Sequence, residues 1–394
     1  MPVNARPDET YDFDTVLSRE GTASLKWERY RDRDVLPFWV ADMDFAVAEP
    51  IRRALHARLE HPIYGYTLAP DALVEAVRGH LSDEYGWQVE PDWLVWLPGV
   101  VPGLAASCRA FVGPGEEVLV NPPIYHHFLD AHEAGRQRLL EVPLRDLGGR
   151  ATWDVEAMRA ACTERTRLLM LCSPHNPTGT VFTTGETRAV MALAAERDLV
   201  VVSDEIHADL VLDRHARHVP TAVACPEEAA RVITLMSASK TWNIAGLNCS
   251  FAVIPDETLR GRFRDGARTI VPPVPPLAYE ATRAAFAEGG AWRSSLLDYL
   301  RGNLALIEER VGSMPGLALR PLQATYLAWI DATALGLDDA QGWFEARGVG
   351  LSAGEQFGLP GHLRMNFACP RSTLVEGLER MAGAAAEAVR KLQS

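Results

Sequence analysis

Between residues 93 and about 255 the chain alternates short apolar runs with longer stretches whose apolar residues recur every three or four positions. The runs at 93–97, 117–121, 138–142, 167–172, 199–203, 231–236 and 249–254 are rich in Val, Leu and Ile, and each has the length of a strand. Near-continuous apolar character, as in Leu199-Val200-Val201-Val202, is what a strand buried on both faces requires. Helical spacing falls at about 101–112, 125–134, 154–161, 185–197 and 225–230. This alternation predicts an α/β unit, a mainly parallel seven-stranded sheet with helices on both faces. Ligands of such sheets lie beyond the carboxyl ends of the strands, so the residues that follow each run carry the interest.

The flanks read differently. Residues 1–47 form a polar, irregular arm that ends in Leu36-Pro37-Phe38-Trp39-Val40-Ala41-Asp42-Met43-Asp44-Phe45, where apolar and acidic residues alternate. Pro50 suits the first turn of a helix over 50–60. The aromatic turn Ile63-Tyr64-Gly65-Tyr66-Thr67 follows, then a helix over about 71–85 with Leu73, Val74, Val77 and Leu81 on one face. The stretch 266–278, with Gly266 and Val271-Pro272-Pro273-Val274-Pro275-Pro276, is incompatible with a regular helix. It reads as an ordered loop near a site, a domain junction or a plain linker. A long helix at 289–311 carries Trp292, Leu296, Leu300, Leu304, Ile307 and Val311 at helical spacing and leads into a second domain. Strands at 325–330 and 362–368 and an amphipathic helix at 372–391 complete a smaller α+β unit. The expected division is an arm, 1–47, joining the small domain; a large domain, 48–287; and a small domain, 288–394.

Composition narrows the function. A chain of 394 residues, 47% hydrophobic and 23% charged, matches a soluble globular protein of two or three domains' length. A net charge of -13 leaves no basic stripe to displace counterions, so nucleic acid is not an expected partner. Neither a signal-like N-terminus nor an apolar run of membrane-spanning length is evident, which makes a cytoplasmic protein with no membrane partner the expectation. The six cysteines, Cys108, Cys162, Cys172, Cys225, Cys249 and Cys369, form no Cys-x-x-Cys pair and read as reduced and buried, with no metal site. Of 39 basic residues only Lys26, Lys240 and Lys391 are lysine, so 36 are arginine. Lys240 is the one lysine in mid-chain. Arginine cannot replace it as a nucleophile, because a guanidinium stays protonated, whereas a desolvated lysine loses its proton and forms a Schiff base with an aldehyde.

Four strand ends carry chemistry. Pro98-Gly99-Val100-Val101-Pro102-Gly103 follows 93–97 and opens a helix, a natural seat for a phosphate. Ser173-Pro174-His175-Asn176-Pro177-Thr178-Gly179 follows 167–172 and holds an Asn amide between prolines, either a turn or a donor to a cofactor oxygen. Asp204-Glu205-Ile206-His207 ends 199–203, and a carboxylate buried there needs a partner such as a protonated pyridine nitrogen. Ser237-Ala238-Ser239-Lys240 ends 231–236. An amide, a carboxylate, hydroxyls and an amine in register describe a site for pyridoxal phosphate.

With these motifs the chain resembles fold-type I pyridoxal-phosphate enzymes of the class I/II aminotransferase superfamily, and within them the MalY/PatB-type cystathionine β-lyases, or cysteine-S-conjugate β-lyases. The resemblance extends through Ser24-Leu25-Lys26-Trp27, Val40 to Phe45, Gly65-Tyr66-Thr67, Ser239 to Leu247, Ala324 to Asp331 and Arg364-Met365-Asn366-Phe367-Ala368. It implies that Lys240 carries the cofactor and later takes the substrate Cα proton, and that Asp204 pairs with the pyridine nitrogen. It implies that Asn176 and His207 bind the cofactor and that Tyr125 stacks on its ring. The phosphate falls to Val100, Val101, Ser237 and Ser239, with Tyr66 reaching it from a neighbouring subunit of a homodimer with shared sites. Arg364 clamps the substrate carboxylate, with Asn176 and Trp27 also facing substrate; His126, directly after Tyr125, is a further candidate for the substrate side that the resemblance does not supply. The sequence departs from the pattern at His126-His127, where relatives carry other residues after the stacking tyrosine, and in the proline-rich 271–276 run. Two imidazoles there either serve as acid or base near neutral pH or point to solvent.

The resemblance implies a lyase that cleaves cystathionine or another L-cysteine S-conjugate to a thiol, pyruvate and ammonia. An aminotransferase, or a variant in specialised metabolism acting on a larger thioether or with decarboxylation, uses the same residues up to the loss of the Cα proton.

Overall fold

The computed structural model describes residues 11–393, so the first ten residues of the expected arm lie outside the described residues. All seven predicted runs form strands of one sheet, in the order Leu94–Leu97, Ser250–Val253, Val232–Met236, Val200–Asp204, Thr166–Cys172, Glu117–Val120 and Arg138–Glu141. Ser250–Val253 runs antiparallel to both neighbours and every other pairing between adjacent strands is parallel. The central strands of the sheet are buried on both faces. Leu168, Met170 and Cys172 point into one core with Val118, Val120 and Ile233, while Leu169 and Leu171 point into the other with Leu119, Val201 and Phe251. This period of two inside a continuous apolar run is the pleat seen from both sides.

Helices cover the two faces. Thr184–Glu196 begins at Thr183, whose hydroxyl accepts from Glu186 N while the Glu186 carboxylate accepts from Thr183 N, a reciprocal cap that fixes the start of the helix. Val100–Phe111 packs against a helix that the sequence reading missed, Glu257–Ala267. Gly266, taken as a breaker, sits inside that helix because a Cβ there would lie 2.6 Å from Ala110 Cβ and 2.7 Å from Ala106 O. It lets two helices touch, and that close approach outweighs the helix cost of glycine. A second missed helix, Pro276–Glu288, starts with Pro276 in its first turn and packs on Glu49–Leu59 and Asp71–Tyr85. The irregular stretch is therefore shorter than expected, 268–275.

Three other expectations change. The helix expected over 125–134 is a short helix, His126–Asp130, and a 3-10 turn, Glu133–Gly135. The helix expected over 225–230 is a 3-10 helix, Pro226–Arg231, after a short turn of α-helix, Thr221–Ala224. The arm is not wholly irregular, since Leu25–Glu28 is helical and Leu36–Pro37 pairs in parallel with Val349–Gly350.

The long helix Gly290–Gly312 leads to a four-stranded antiparallel sheet in the order Ala318–Leu319, Leu327–Asp331, His362–Asn366, Ser352–Ala353, backed by the helix Arg371–Leu392. Its core is continuous with the arm, with Trp242 in the turn that bears Lys240, and with Ala281 of the helix Pro276–Glu288. All six cysteines are buried and none is in a disulfide. Among the described residues no helix is long and apolar enough to cross a membrane.

Candidate active site

Five strands end on one edge of the large sheet, and the chemistry-bearing residues follow them. Lys240 sits in the turn after Val232–Met236, with its Nζ 2.8 Å from the Ala41 carbonyl oxygen. Burial, aided by the Arg364 charge, lowers its pKa to about 8, which puts a free amine within reach near neutral pH. Asp204 closes Val200–Asp204 and is 4% exposed. Its Oδ1 accepts from Ile206 N at 3.0 Å, and burial raises its pKa to about 7. Among the described residues no basic group stands within ion-pair distance of this carboxylate. Its neighbour Glu205 is fully engaged by Ser203, Thr221 and His218.

Arg364, on His362–Asn366, is buried, as are its neighbours Leu363 and Met365 on the strand's other face. Its Nη1 donates to Asn176 Oδ1 at 2.9 Å and its Nη2 to Trp39 O at 2.9 Å, while its guanidinium lies 4.6 Å from the Phe357 ring centroid. Nε is buried without a partner, and among the described residues no carboxylate pairs with Arg364. Burial lowers its pKa to about 10. Asn176 thus joins the large sheet to the small one. His207 is buried, its Nδ1 is unpartnered, and burial with the Lys240 charge lowers its pKa to about 3, so the imidazole is neutral.

Val100 and Val101 open the helix Val100–Phe111, whose first N–H groups have no intrahelical acceptor and face the same edge. Ser237 is nearby, but its hydroxyl donates to Cys249 O at 2.7 Å and accepts from Ser239 N at 3.0 Å. That hydroxyl shapes the turn as well as lying near the seat; Ser239 is half-buried. Tyr125 is half-buried, and burial raises its pKa. His126 packs edge-on against it with centroids 4.5 Å apart, and His127 does so at 5.1 Å. His126 Nδ1 is buried without a partner. Burial and His127 lower the His126 pKa to about 4, so it is neutral where an acid or base role near pH 7 would need it to titrate.

Trp27 donates Nε1 to Asp44 Oδ1 at 3.1 Å and serves as a brace of the site's edge. Tyr66 is not brought to the site, since it is fully exposed on an extended stretch. The chain as one copy assembles every other predicted residue on or beside one strand-end edge.

Sequence reasoning missed the segment that closes this edge. Residues 39–45 cross it as a strap held by side chains from three directions. Asn243 accepts from Met43 N and donates to Met43 O and Phe45 O. Asn366 donates to Val40 O and Asp42 O, both at 2.7 Å. Asp44 receives Lys26 Nζ at 2.6 Å and Arg19 at 3.0 Å. Lys240 is the one lysine in mid-chain, yet Lys26 is the more deeply buried of the two, and its charge is spent on Asp44. The signal available was the pair of Asn residues, each a few positions after a candidate catalytic residue.

The geometry can be set beside known proteins. A family model described as aminotransferase class I and II matches residues 34–381. Cystathionine beta-lyase PatB of Bacillus subtilis is 35% identical over 94% of this chain and 99% of that protein. The crystal structure of OvoB superposes with a TM-score of 0.93 and 42% identity over 95% of this chain and 99% of that one. A pyridoxal-phosphate-bound C–S lyase from Staphylococcus hominis, complexed with an inhibitor, L-cycloserine, superposes with a TM-score of 0.90 and 30% identity over 96% and 98%.

Proposed function

Because the chain belongs to the aminotransferase class I and II family, we propose that it is a pyridoxal-phosphate-dependent carbon–sulfur β-lyase that cleaves cystathionine or a related L-cysteine S-conjugate. The observation that carries the reading is a likeness to C–S lyases over nearly the whole chain, together with a desolvated Lys240 amine facing a buried, unpaired Asp204.

The residues fit the cofactor. A buried carboxylate with a raised pKa and no cation is suited to a pyridinium nitrogen, which would return Asp204 to its ionised form. The helix start at Val100 and Val101, with Ser239, suits a phosphate; Asn176 and neutral His207 suit the ring's oxygen; Tyr125 suits the ring face. When bound, pyridoxal phosphate supplies an electron sink for the pair released as a bond to Cα breaks.

The chain's own residues do the rest. Arg364 holds the substrate carboxylate through its fork, trading its hold on Trp39 O or Asn176 for a charged partner. The lowered pKa of Lys240 keeps a fraction of the amine unprotonated, and that amine takes the Cα proton onto Nζ. The thiolate then leaves Cβ and takes a proton as thiol, and with one water the remaining three carbons become pyruvate and ammonia.

Two further parts belong to the reading. The protein is a homodimer in which Tyr66 completes the partner copy's phosphate seat. Leu59, Ile63, Tyr64, Tyr66 and Leu68 are all exposed on one short stretch, an apolar surface that a second copy would cover. The protein is cytoplasmic, in keeping with six buried, unpaired cysteines. The large and small domains meet near residue 288.

The test is incubation of the purified yellow protein with cystathionine and S-substituted cysteines, measuring thiol and pyruvate. Release of both in equal amounts without an added amino acceptor is expected. A keto acid formed only with such an acceptor would make the chain an aminotransferase. For the shared site, Tyr66→Phe and Lys240→Ala chains mixed into heterodimers should recover activity that neither variant has alone.

A further inference from the structure

Ala41 offers one carbonyl oxygen to two donors. Lys240 Nζ lies 2.8 Å from it and the Tyr326 hydroxyl 3.1 Å from it. Ala41 and Tyr326 are both buried, so neither the carbonyl nor the hydroxyl is free to exchange partners with bulk water. The hydroxyl is also held in place from behind. Thr325 has φ +74, a conformation that a β-branched residue adopts only when its surroundings impose it. Here they do, since Thr325 N donates to Leu210 O at 2.9 Å, its hydroxyl accepts from Leu327 N at 3.1 Å, and Ala324 N donates to Gly179 O. The backbone that aims Tyr326 at Ala41 is therefore pinned to both halves of the molecule.

On the reading that Lys240 is the reacting amine, Lys240 leaves Ala41 whenever its nitrogen is engaged elsewhere. A buried carbonyl deserted by its only donor is costly, and that cost would hold the amine back. We propose that Tyr326 is a positioning residue, whose hydroxyl is the standing donor of the Ala41 carbonyl and so releases the Lys240 amine for chemistry without leaving that carbonyl unpaired.

The amine is faced by Arg364 from the small sheet, Asp42 from the strap and Asp204 from its strand end, with His207 beside it, and Tyr326→Phe alters none of these. The experiment uses the fact that the chain has three lysines. Apo-protein is labelled with a trace acylating reagent across pH, and the peptides of Lys26, Lys240 and Lys391 are quantified by mass spectrometry. Without the competing hydroxyl, Ala41 binds the Lys240 ammonium more tightly than the amine. The labelling midpoint of Lys240 should rise in Tyr326→Phe by about half a unit to one unit, while Lys26 and Lys391 stay as internal references. The rate at which pyridoxal phosphate becomes fixable to Lys240 by borohydride at pH 7 should fall by about threefold to tenfold. A lowered melting temperature with an unmoved Lys240 midpoint would reduce Tyr326 to a packing residue and overturn the proposal. Should the variant not fold, a crystal structure of the cofactor-loaded wild type serves instead. Tyr326 still bonded to Ala41 after Lys240 has left supports the role, and Tyr326 turned away overturns it. If wild-type Lys240 forms no borohydride-fixable link at all, the functional reading fails, and the labelling midpoints still judge Tyr326 separately.

Discussion

Arg364 and Asn176 are bonded to each other across the two sheets, Nη1 to Oδ1 at 2.9 Å, though 188 residues separate them. The guanidinium is buried, carries an unpartnered Nε and has no carboxylate among the described residues. On the proposed function it is the group that would receive the substrate's carboxylate. Arg364→Lys keeps the charge and loses the fork. It should lower kcat/KM for cystathionine by about two orders of magnitude, the scale of truncating a buried charged pair. The check is the same assay with a decarboxylated analogue, for which wild type and variant should differ little.

Asp204 makes the protein without cofactor sensitive to pH. Its folded pKa, near 7, lies above the ordinary value of 3.8, so the folded state holds a proton that the unfolded state has lost. Stability therefore falls as pH rises from about 4 through 7. Asp204→Asn removes that fall, and at pH 8 the variant apo-protein should be the more stable by up to about 4 kcal/mol. With cofactor bound the order should reverse, because the ring nitrogen loses its counter-charge. Denaturation curves at pH 4 and pH 8, with and without pyridoxal phosphate, decide it; identical pH slopes for wild type and variant would rule out this role.

The buried pair Lys26–Asp44 should matter to stability rather than to turnover. Asp44→Ala strands an ammonium with no exposed surface and should cost about 3–5 kcal/mol. Lys26→Met leaves Asp44 with Arg19 and Trp27 and should cost less. Chemical denaturation of the two variants gives the order, and the reverse order would show that Arg19 and Trp27 do not carry the carboxylate.

His126 should act through shape and hydrogen bonding and not by titration. Its pKa near 4 keeps it neutral through the physiological range. His126→Tyr should change the ratio of kcat/KM between cystathionine and a bulkier conjugate by about tenfold, the scale of one or two altered pocket contacts. The limbs of the pH–rate profile between 5 and 8 should not move. An unchanged ratio would place the imidazole outside the substrate's path.

The sheet was legible in the sequence because its central strands, buried on both faces, leave apolar runs such as Leu168 to Cys172 and Val232 to Met236, and even the part-exposed edge strand Arg138–Glu141 keeps Leu139 and Leu140. Three of the strand-end groups were legible for a related reason, since the runs at 167–172, 199–203 and 231–236 pass directly into Ser173, Asp204 and Ser237. The helices Glu257–Ala267 and Pro276–Glu288 were not. The first carries Gly266, which looks like a breaker until Ala106 and Ala110 are seen against it, and the second begins in a proline run that marks a helix start as readily as a loop. Tyr66 could be tied to the site only by resemblance, as one copy of the chain leaves it in solvent. The strap 39–45 was hidden because its ties are mostly backbone carbonyls, which every residue has.

That strap has a mechanical consequence. Asn243 lies three residues after Lys240 and Asn366 two residues after Arg364, and both grip the same short segment. On the proposed function, any shift of the small sheet on carboxylate binding at Arg364 would pass through Asn366 into the strap, and from the strap, through Ala41 and Asn243, to the turn that bears Lys240. Occupancy at one end and readiness of the amine at the other would thereby be geared together. An amine lacking a carboxylate would enter the same cleft and leave that gear unturned.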